Sequence, residues 1–259
     1  MTKISAVVIT LNEEKNIGRC IDSLNGVADE IIVVDSFSTD NTEKICKEKG
    51  VTFIKHEFEG YIEQKNWARK QASNTYVLSM DADEALSDKL KSEILKVKQN
   101  GFEYDGYYFN RKTNYCGKWI NHSGWYPDRK LRLWNNSKGK WAGENPHDRF
   151  EMEEGAQIKY LEGDLLHYSF YTFEQHMDNV NKFTSITALM RYRKGKRFSV
   201  IKMLVSPIWK FILSYFFQKG FMDGYYGFVI CINSAHANFL KQIKLQQLHK
   251  QSREQAEKS

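Results

Sequence analysis

Two aspartates separated by one alanine, Asp81-Ala82-Asp83, follow the apolar run Thr75–Met80 and are themselves followed by Glu84. A D-x-D at the end of a buried strand brings two carboxylates within reach of one divalent cation. Hard Mg²⁺ or Mn²⁺ favours such oxygen ligands together with substrate phosphates. In isolation the same triplet is equally a turn or a helix cap, so its weight depends on what stands around it. A second acid, Asp35, closes the run Glu30–Asp35, where a carboxylate suits a ribose hydroxyl or a base edge. Lys65 and Arg69 lie four apart, on one face of a helix, and suit a phosphate or simply a solvated surface. Asp128, Glu144 and Asp148 are acids in an aromatic-rich middle segment with Trp119, Trp125, Tyr126, Trp134 and Trp141. Any of the three could serve as a base, and the rings could stack on a sugar or only fill a core. His147 is a candidate metal ligand or a packed histidine.

These residues need elements to hold them. Ile4–Thr10, Glu30–Asp35, Val51–Lys55 and Thr75–Met80 are short apolar β-rich runs. They alternate with helical periodicity after Asn12, after Asp40 and over Tyr61–Ser73, with Asn12 and Asp40 as expected N-caps. That order predicts an α/β fold, a Rossmann-like, mostly parallel sheet flanked by helices. Ligands of such sheets bind at the carboxyl ends of the strands, where Thr10, Asp35 and Asp81 stand. A helix is predicted over Ser87–Gln99 and strands over Gly106–Arg111 and Lys130–Trp134. From Thr172 onward the periodicity is helical, so the chain is predicted to comprise a catalytic domain over 1–170 and a helical C-terminal region over 171–259.

Composition narrows the partners without naming one. The 259 residues are 41% hydrophobic and 27% charged with net charge +6, a globular balance that is modestly basic. The four cysteines are far apart, which excludes a Cys-based zinc site and predicts reduced thiols in a cytosolic setting. No secretory signal is expected at the N-terminus. Neither G-x-G-x-x-G nor G-x-x-x-x-G-K-[ST] occurs, which removes the main support for dinucleotide oxidoreductases and P-loop NTPases. Val200–Phe217 is apolar and aromatic but interrupted by Lys202, Pro207 and Lys210, and it follows the basic run Arg191–Arg197. It is marginal as a membrane span. It fits either an interfacial contact with a membrane or a helix packed in the core or on a second subunit, as in a homo-oligomer.

Four motifs in order carry a resemblance: Ala6–Glu14 (AVVITLNEE), Ile32–Thr42 (IVVDSFSTDNT), Gln64–Arg69 (QKNWAR) and Leu78–Glu84 (LSMDADE). Together they resemble the inverting family 2 glycosyltransferases of GT-A fold, over about the first 85 residues. Trp125–Trp134, Pro146-His147-Asp148 and Gly220–Gly227 resemble a narrower branch, β-glucosyltransferases of lipopolysaccharide core. Asp148 stands where that branch usually carries Glu. The resemblance implies a UDP-sugar donor, with glucose the expected hexose, whose diphosphate is bridged to Asp83 by Mg²⁺ or Mn²⁺; His147 stays either a further metal ligand or a packed histidine. It implies that Asp35 holds the uracil or ribose, that Thr10, Asn12 and Glu13 line the nucleotide pocket, and that Asp81 meets the ribose or donor sugar; Lys65 and Arg69, from their spacing, suit a phosphate or an acidic partner beside them. Inversion requires a base, for which Asp148 is preferred and Glu144 can exchange roles with it. The acceptor is then a saccharide, free or lipid-linked, and the protein is expected in the cytoplasm, peripheral on the inner membrane, with no nucleic-acid partner. A nucleotidyltransferase of similar architecture and a non-catalytic basic module that binds membrane or nucleic acid are the alternatives.

Overall fold

The structure, a computed structural model, describes residues 2–144 and 147–256; the side chains of His147 and Ala256 lie outside that description. The chain divides into two compact units, Met1–Thr113 with Asp128–Ser169, and Asn114–Pro127 with Phe170–Ser259. The segment 114–127 therefore belongs with the C-terminal helices, not with the α/β unit that surrounds it in sequence.

In the first unit β1 (Ile4–Thr10), β2 (Glu30–Asp35), β3 (Thr52–Lys55) and β4 (Tyr76–Asp81) are parallel, in the order β3-β2-β1-β4. Both faces of β1 are buried, which is why it has no polar alternation: Ile4, Ala6 and Val8 face one core and Val7 the other. The first core is closed by α1 (Ile17–Leu24), α2 (Thr42–Glu48) and α4 (Asp88–Asn100), through Ile17, Ile21, Cys46, Leu90 and Ile94. The second receives Ala68 from α3 (Tyr61–Arg69) and the aromatic trio Trp134, Trp141 and Phe150. Trp134 stacks on Phe150 at 3.7 Å between ring centroids and meets Trp141 edge-on at 5.6 Å.

Beyond β4 the sheet turns antiparallel. β8 (Asp128–Asn135) pairs with β4, then β6 (Gly106–Tyr115), β11 (Ile158–Phe170) and finally β5 (Glu84–Leu86). β5 starts three residues after β4 ends, a reach of about 10 Å, yet it sits at the far edge of the order. The sheet must therefore curl until that edge returns to the carboxyl end of β4. A separate hairpin, β9 (Gly139–Glu144) with β10 (His147–Met152), lies against α3 and β8.

Two expected caps differ. Asn12 does not cap α1, which starts at Ile17. It adopts a left-handed backbone (φ 54°), and its side-chain oxygen accepts from the Thr39 amide at 2.8 Å. Asp40 accepts from the Thr42 amide at 3.0 Å, one position ahead of Asn41, which stands at the N-cap of α2. α4 has its cap in Ser87, whose hydroxyl also accepts from the Asp164 amide at 3.0 Å, so one side chain ties the start of α4 to β11.

The second unit gathers β7 (Lys118–Trp119), which doubles back on Asn114–Tyr115, with α5 (Phe173–Arg193), α6 (Val200–Ile212), a π-helical turn (Leu213–Phe217), a 3-10 turn (Gly220–Asp223) and the long α7 (Gly224–Ala256). A capping box between Thr172 and Gln175 starts α5. The Gly220–Gly227 motif has a structural reason within this unit. Buried Asp223 accepts from the amides of Asn121 and His122 at 3.1 and 2.9 Å, and a Cβ on Gly227 would sit 2.0 Å from the Gly220 carbonyl oxygen. Tyr115 donates to or accepts from His176 at 2.9 Å beside Trp125 and Phe170, and burial alone lowers His176 to about 4.

Gly163 tests how far the curl depends on one close approach. Its φ is +100°, and a Cβ there would lie 2.5 Å from the Leu90 amide nitrogen. Gly163→Ala is expected to destabilise the fold by at least about 2 kcal/mol, since strain and overlap act together. Urea denaturation would read this as a lower midpoint with little change in slope.

Candidate active site at the carboxyl ends of the strands

The D-x-D sits where the sequence predicts, at the end of β4, but its two aspartates have different surroundings. Asp81 is ion-paired with Lys65 at 3.2 Å and with Arg132 at 3.0 Å. Burial would raise its carboxyl, but the Lys65 and Arg132 charges overcome this and hold it far below the usual carboxylate range. Asp83 instead faces His167, Nε2 to Oδ2 at 3.0 Å, and its carbonyl accepts from the Tyr168 amide at 2.9 Å. Burial pushes the Asp83 carboxyl up, and the His167 contact more than offsets it, leaving it lowered.

The third acid, Glu84, is fully buried on β5 and pairs with Arg132 at 3.0 Å. It also accepts from the Asp81 amide at 2.9 Å. Burial raises its carboxyl despite Arg132. Arg132 comes from β8, and it is 3% exposed, so its charge acts on these acids, on nearby Asp148 and on the Trp141 ring 5.5 Å away. The ladder explains its position: Leu133 pairs with Leu78, so Arg132 lies one step nearer the carboxyl end of β4.

Lys65 extends the cluster to the hairpin. Its ammonium reaches Asp148 on β10 at 2.8 Å and lies over the Trp141 ring at 4.6 Å. One cation therefore bridges Asp81 and Asp148. Tyr61, one turn before Lys65, has its hydroxyl raised by burial and by the nearby Asp81, Asp148 and Asp83. It belongs to the site although nothing in its sequence context marks it.

Other expected residues are placed differently. Arg69 does not join Lys65. Its guanidinium bonds Asn66 and the Asn136 carbonyl, at 3.1 and 3.0 Å, and so fastens α3 to the turn after β8. Glu144 and Asp148 are not equivalent in position. In the β9–β10 ladder Glu144 pairs with His147 and Asp148 with Gly143, and successive side chains alternate faces. Asp148 thus shares the face of Trp141 and Phe150, whereas Glu144 is exposed on the other. The His147 side chain lies outside the described residues. Asp128 pairs with Arg111 at 2.9 Å and Lys130 at 3.0 Å, and so ties β8 to β6.

The loops after β1 and β2 form one wall. Asp35 is fully buried and holds Ser38 through both the amide, at 2.8 Å, and the hydroxyl, so it shapes the loop instead of presenting an open carboxylate to a base. Ser38 accepts from the Asn12 amide at 2.8 Å, and Thr42 from the Glu13 amide at 2.9 Å. The Thr10 carbonyl accepts from the Ser36 amide. Burial raises the Glu13 carboxyl to about 7, against a lowering hydrogen bond from Asn16. Gln64 joins the same wall through Ser36 at 3.1 Å and His56 at 2.8 Å.

Sequence spacing gives no hint of His167 or Arg132, because both come from strands far along the chain that only the antiparallel half of the sheet returns to β4. Their signal is weak in principle: Arg132 alternates with apolar Leu131 and Leu133, and His167 sits in a strand broken by Gly163 and Asp164. A concavity of about 510 Å³ at the opposite ends of the strands, near Lys3, Asn25 and Thr52, has no such chemistry. Its acids Asp29 and Glu30 are engaged by Lys98 and by Ser5 and Ser73.

Comparison with known proteins bears on the class. The family model "Glycosyl transferase family 2" matches residues 5–153. An uncharacterized glycosyltransferase of Rickettsia typhi is 34% identical over 98% of this chain and 90% of its own. The lipopolysaccharide core biosynthesis glycosyltransferase LpsC of Rhizobium meliloti is 29% identical over 95% of this chain and 93% of its own. The solved structure of S. aureus TarS 1-349 is similar to this chain with a TM-score of 0.46 at 16% identity, covering 97% and 92% of the two chains. The nucleotidyltransferase and non-catalytic alternatives fall away with the family match. With paired acids at the carboxyl end of β4, a family match over residues 5–153 and a relative 34% identical over nearly its whole length, this chain belongs to glycosyl transferase family 2 and is a glycosyltransferase.

Proposed function

We propose that the protein transfers a hexose, with glucose the expected sugar, from a UDP-sugar to a saccharide hydroxyl of a cell-envelope glycan such as lipopolysaccharide core, with inversion and with Mg²⁺ or Mn²⁺. The observation that carries this reading is the Lys65 bridge, which sets the Asp148 carboxylate beside the D-x-D end of β4. The acceptor class rests on the similarity to LpsC, whose name gives lipopolysaccharide core biosynthesis. The donor class rests on the resemblance of the first 85 residues and on the acid-ended strands. The reaction is proposed to take place in the cytoplasm.

A hard divalent cation fits the residues present. Among the described residues no three His, Cys, Asp or Glu stand together as a metal cage, but Asp83 and His167 form a pair at 3.0 Å. Two protein donors, with the remaining positions left to phosphate oxygens and water, is the arrangement such cations accept. His167 is thus the histidine proposed to accompany Asp83. When bound, the cation would neutralise charge that develops on the leaving diphosphate.

The chain's own groups do the rest. Asp148 accepts the proton from the acceptor hydroxyl, using the carboxylate oxygen that Lys65 leaves open. Lys65 fixes that carboxylate and, as Asp148 is neutralised, keeps its pairing to Asp81. Trp141, under both Lys65 and Arg132, excludes water from the ion pairs and so strengthens them. The loops carrying Asn12, Glu13 and Ser38 are proposed to flank the nucleotide, with Thr10 and Asp35 setting their path.

Three variants test these roles. Asp83→Asn is expected to abolish transfer and to remove the Mn²⁺ dependence of UDP binding measured by calorimetry, with the fold intact. Unchanged Mn²⁺-dependent affinity would refute the assignment. His167→Ala should raise the Mn²⁺ needed for half-maximal UDP binding by about tenfold or more. Asp148→Asn should keep donor and metal binding yet lose roughly 10²- to 10⁴-fold in kcat, whereas Glu144→Gln stays near the wild-type rate. A dead Glu144→Gln beside an active Asp148→Asn would overturn the choice of base.

A further inference from the structure

Helix α6 of the second unit is amphipathic in reverse. On α6 the residues Ile201, Leu204, Val205, Ile208 and Trp209 fall at i, i+3, i+4, i+7 and i+8, the spacing of a core-facing stripe. Yet Ile201 is 74% exposed and Ile208 63%, and of the apolar window Val200–Phe217 only 6% is buried. The start of α7, which packs against α6, repeats the pattern with Tyr225, Phe228 and Ile232, after exposed Phe221 and Met222. Two adjacent helices thus leave a continuous apolar and aromatic face in the open. Patches of this kind mark interaction surfaces.

The charge around that face says what covers it. Between residues 179 and 253 the sequence has thirteen Lys and Arg against one acid, Asp223, and Asp223 is buried. The exposed basic loop Arg193–Arg197 leads directly into α6, and Lys202 and Lys219 are exposed near the ends of the apolar stretch. A second copy docking by the same face would bring these basic stretches together, with no exposed acid between residues 179 and 253 to pair them. An anionic lipid surface supplies both the apolar phase and the opposite charge. A span is disfavoured by Lys210, which falls near the middle of the window, and by Pro207 inside α6.

We propose that α6 and the start of α7 form an interfacial membrane-docking face, which lies in the plane of an anionic bilayer with Ile201, Ile208, Trp209 and Tyr225 among its inserted side chains and the 193–197 loop on the headgroups. This inference rests on the second unit alone and stands whether or not the donor and acceptor proposed above are correct.

Co-sedimentation of the full chain with phosphatidylcholine vesicles, with and without phosphatidylglycerol, tests it. Binding is expected only with phosphatidylglycerol, weakening as salt rises, and alkaline carbonate should release the protein. Ile208→Glu with Trp209→Glu is expected to lower the partition coefficient at least tenfold. Arg193→Ala, Lys196→Ala and Arg197→Ala should each lower it about fivefold. All five side chains are at the surface, so unchanged far-UV circular dichroism is expected throughout. Binding that ignores phosphatidylglycerol, or no binding at low salt, would overturn the proposal. Retention after carbonate would make α6 a span, and a concentration-dependent dimer lost in the Ile208/Trp209 variant without vesicle binding would make the face a subunit contact; either result refutes lipid docking.

Discussion

Asp81, Asp83 and Glu84 crowd three carboxylates into four residues at the end of one strand, in a region largely closed to water. Left alone, their mutual repulsion and desolvation would drive at least one to take up a proton or turn outward. The Arg132 guanidinium opposes this by holding Asp81 and Glu84 at 3.0 Å each, with Lys65 as a second cation on Asp81. A buried pair of this kind adds little net stability compared with an apolar equivalent, but removing one partner strands the others at a cost of about 3–5 kcal/mol. The acids and the cations are therefore mutually obligatory. That constraint decides which strand may stand beside β4.

A fifth parallel strand would have extended the alternating β-α pattern and brought a helix over the same edge. The antiparallel β8 instead brings Arg132 alongside the end of β4, in the register set by Leu78 and Leu133. The same antiparallel half then curls until β11 and β5 pair, opposite Glu84 and His167, and the imidazole reaches Asp83. The β9–β10 hairpin follows β8 directly and adds Asp148 to Lys65. Each later element thus completes the charge pattern that β4 began.

How much of this is readable in the sequence follows from where each residue finds its partner. β1 to β4 are buried on both faces, so their apolar runs show the parallel half, and the acids that end β2 and β4 stand out against them. Residues with distant partners do not show. Asn12 has the type of a helix cap, yet its side chain is used 27 residues away on Thr39. Arg69 has helical spacing from Lys65, but a turn at Asn136 claims it. β11 carries Glu162, Gly163 and Asp164 in its middle, where Gly163 passes close to α4 and Glu162 pairs with Lys89 at 3.0 Å, and those residues hide the strand. The hairpin residues Glu144 and Asp148 look interchangeable by sequence distance, and only the ladder register separates their faces.

The D-x-D itself shows why spacing alone underdetermines a role. Asp81 and Asp83 are two apart, and both are held ionised, but by different means. Asp81 already has two full positive charges within 3.2 Å. A further cation there would meet Lys65 and Arg132 as well as the carboxylate, and the attraction would largely cancel. Asp83's direct partner is an imidazole, which becomes a ligand when neutral and so does not oppose a metal ion. The electrostatic asymmetry therefore favours Asp83 over Asp81 as the cation's partner, and it leaves Asp81 to set Lys65, and through Lys65 the Asp148 carboxylate, at the same strand end.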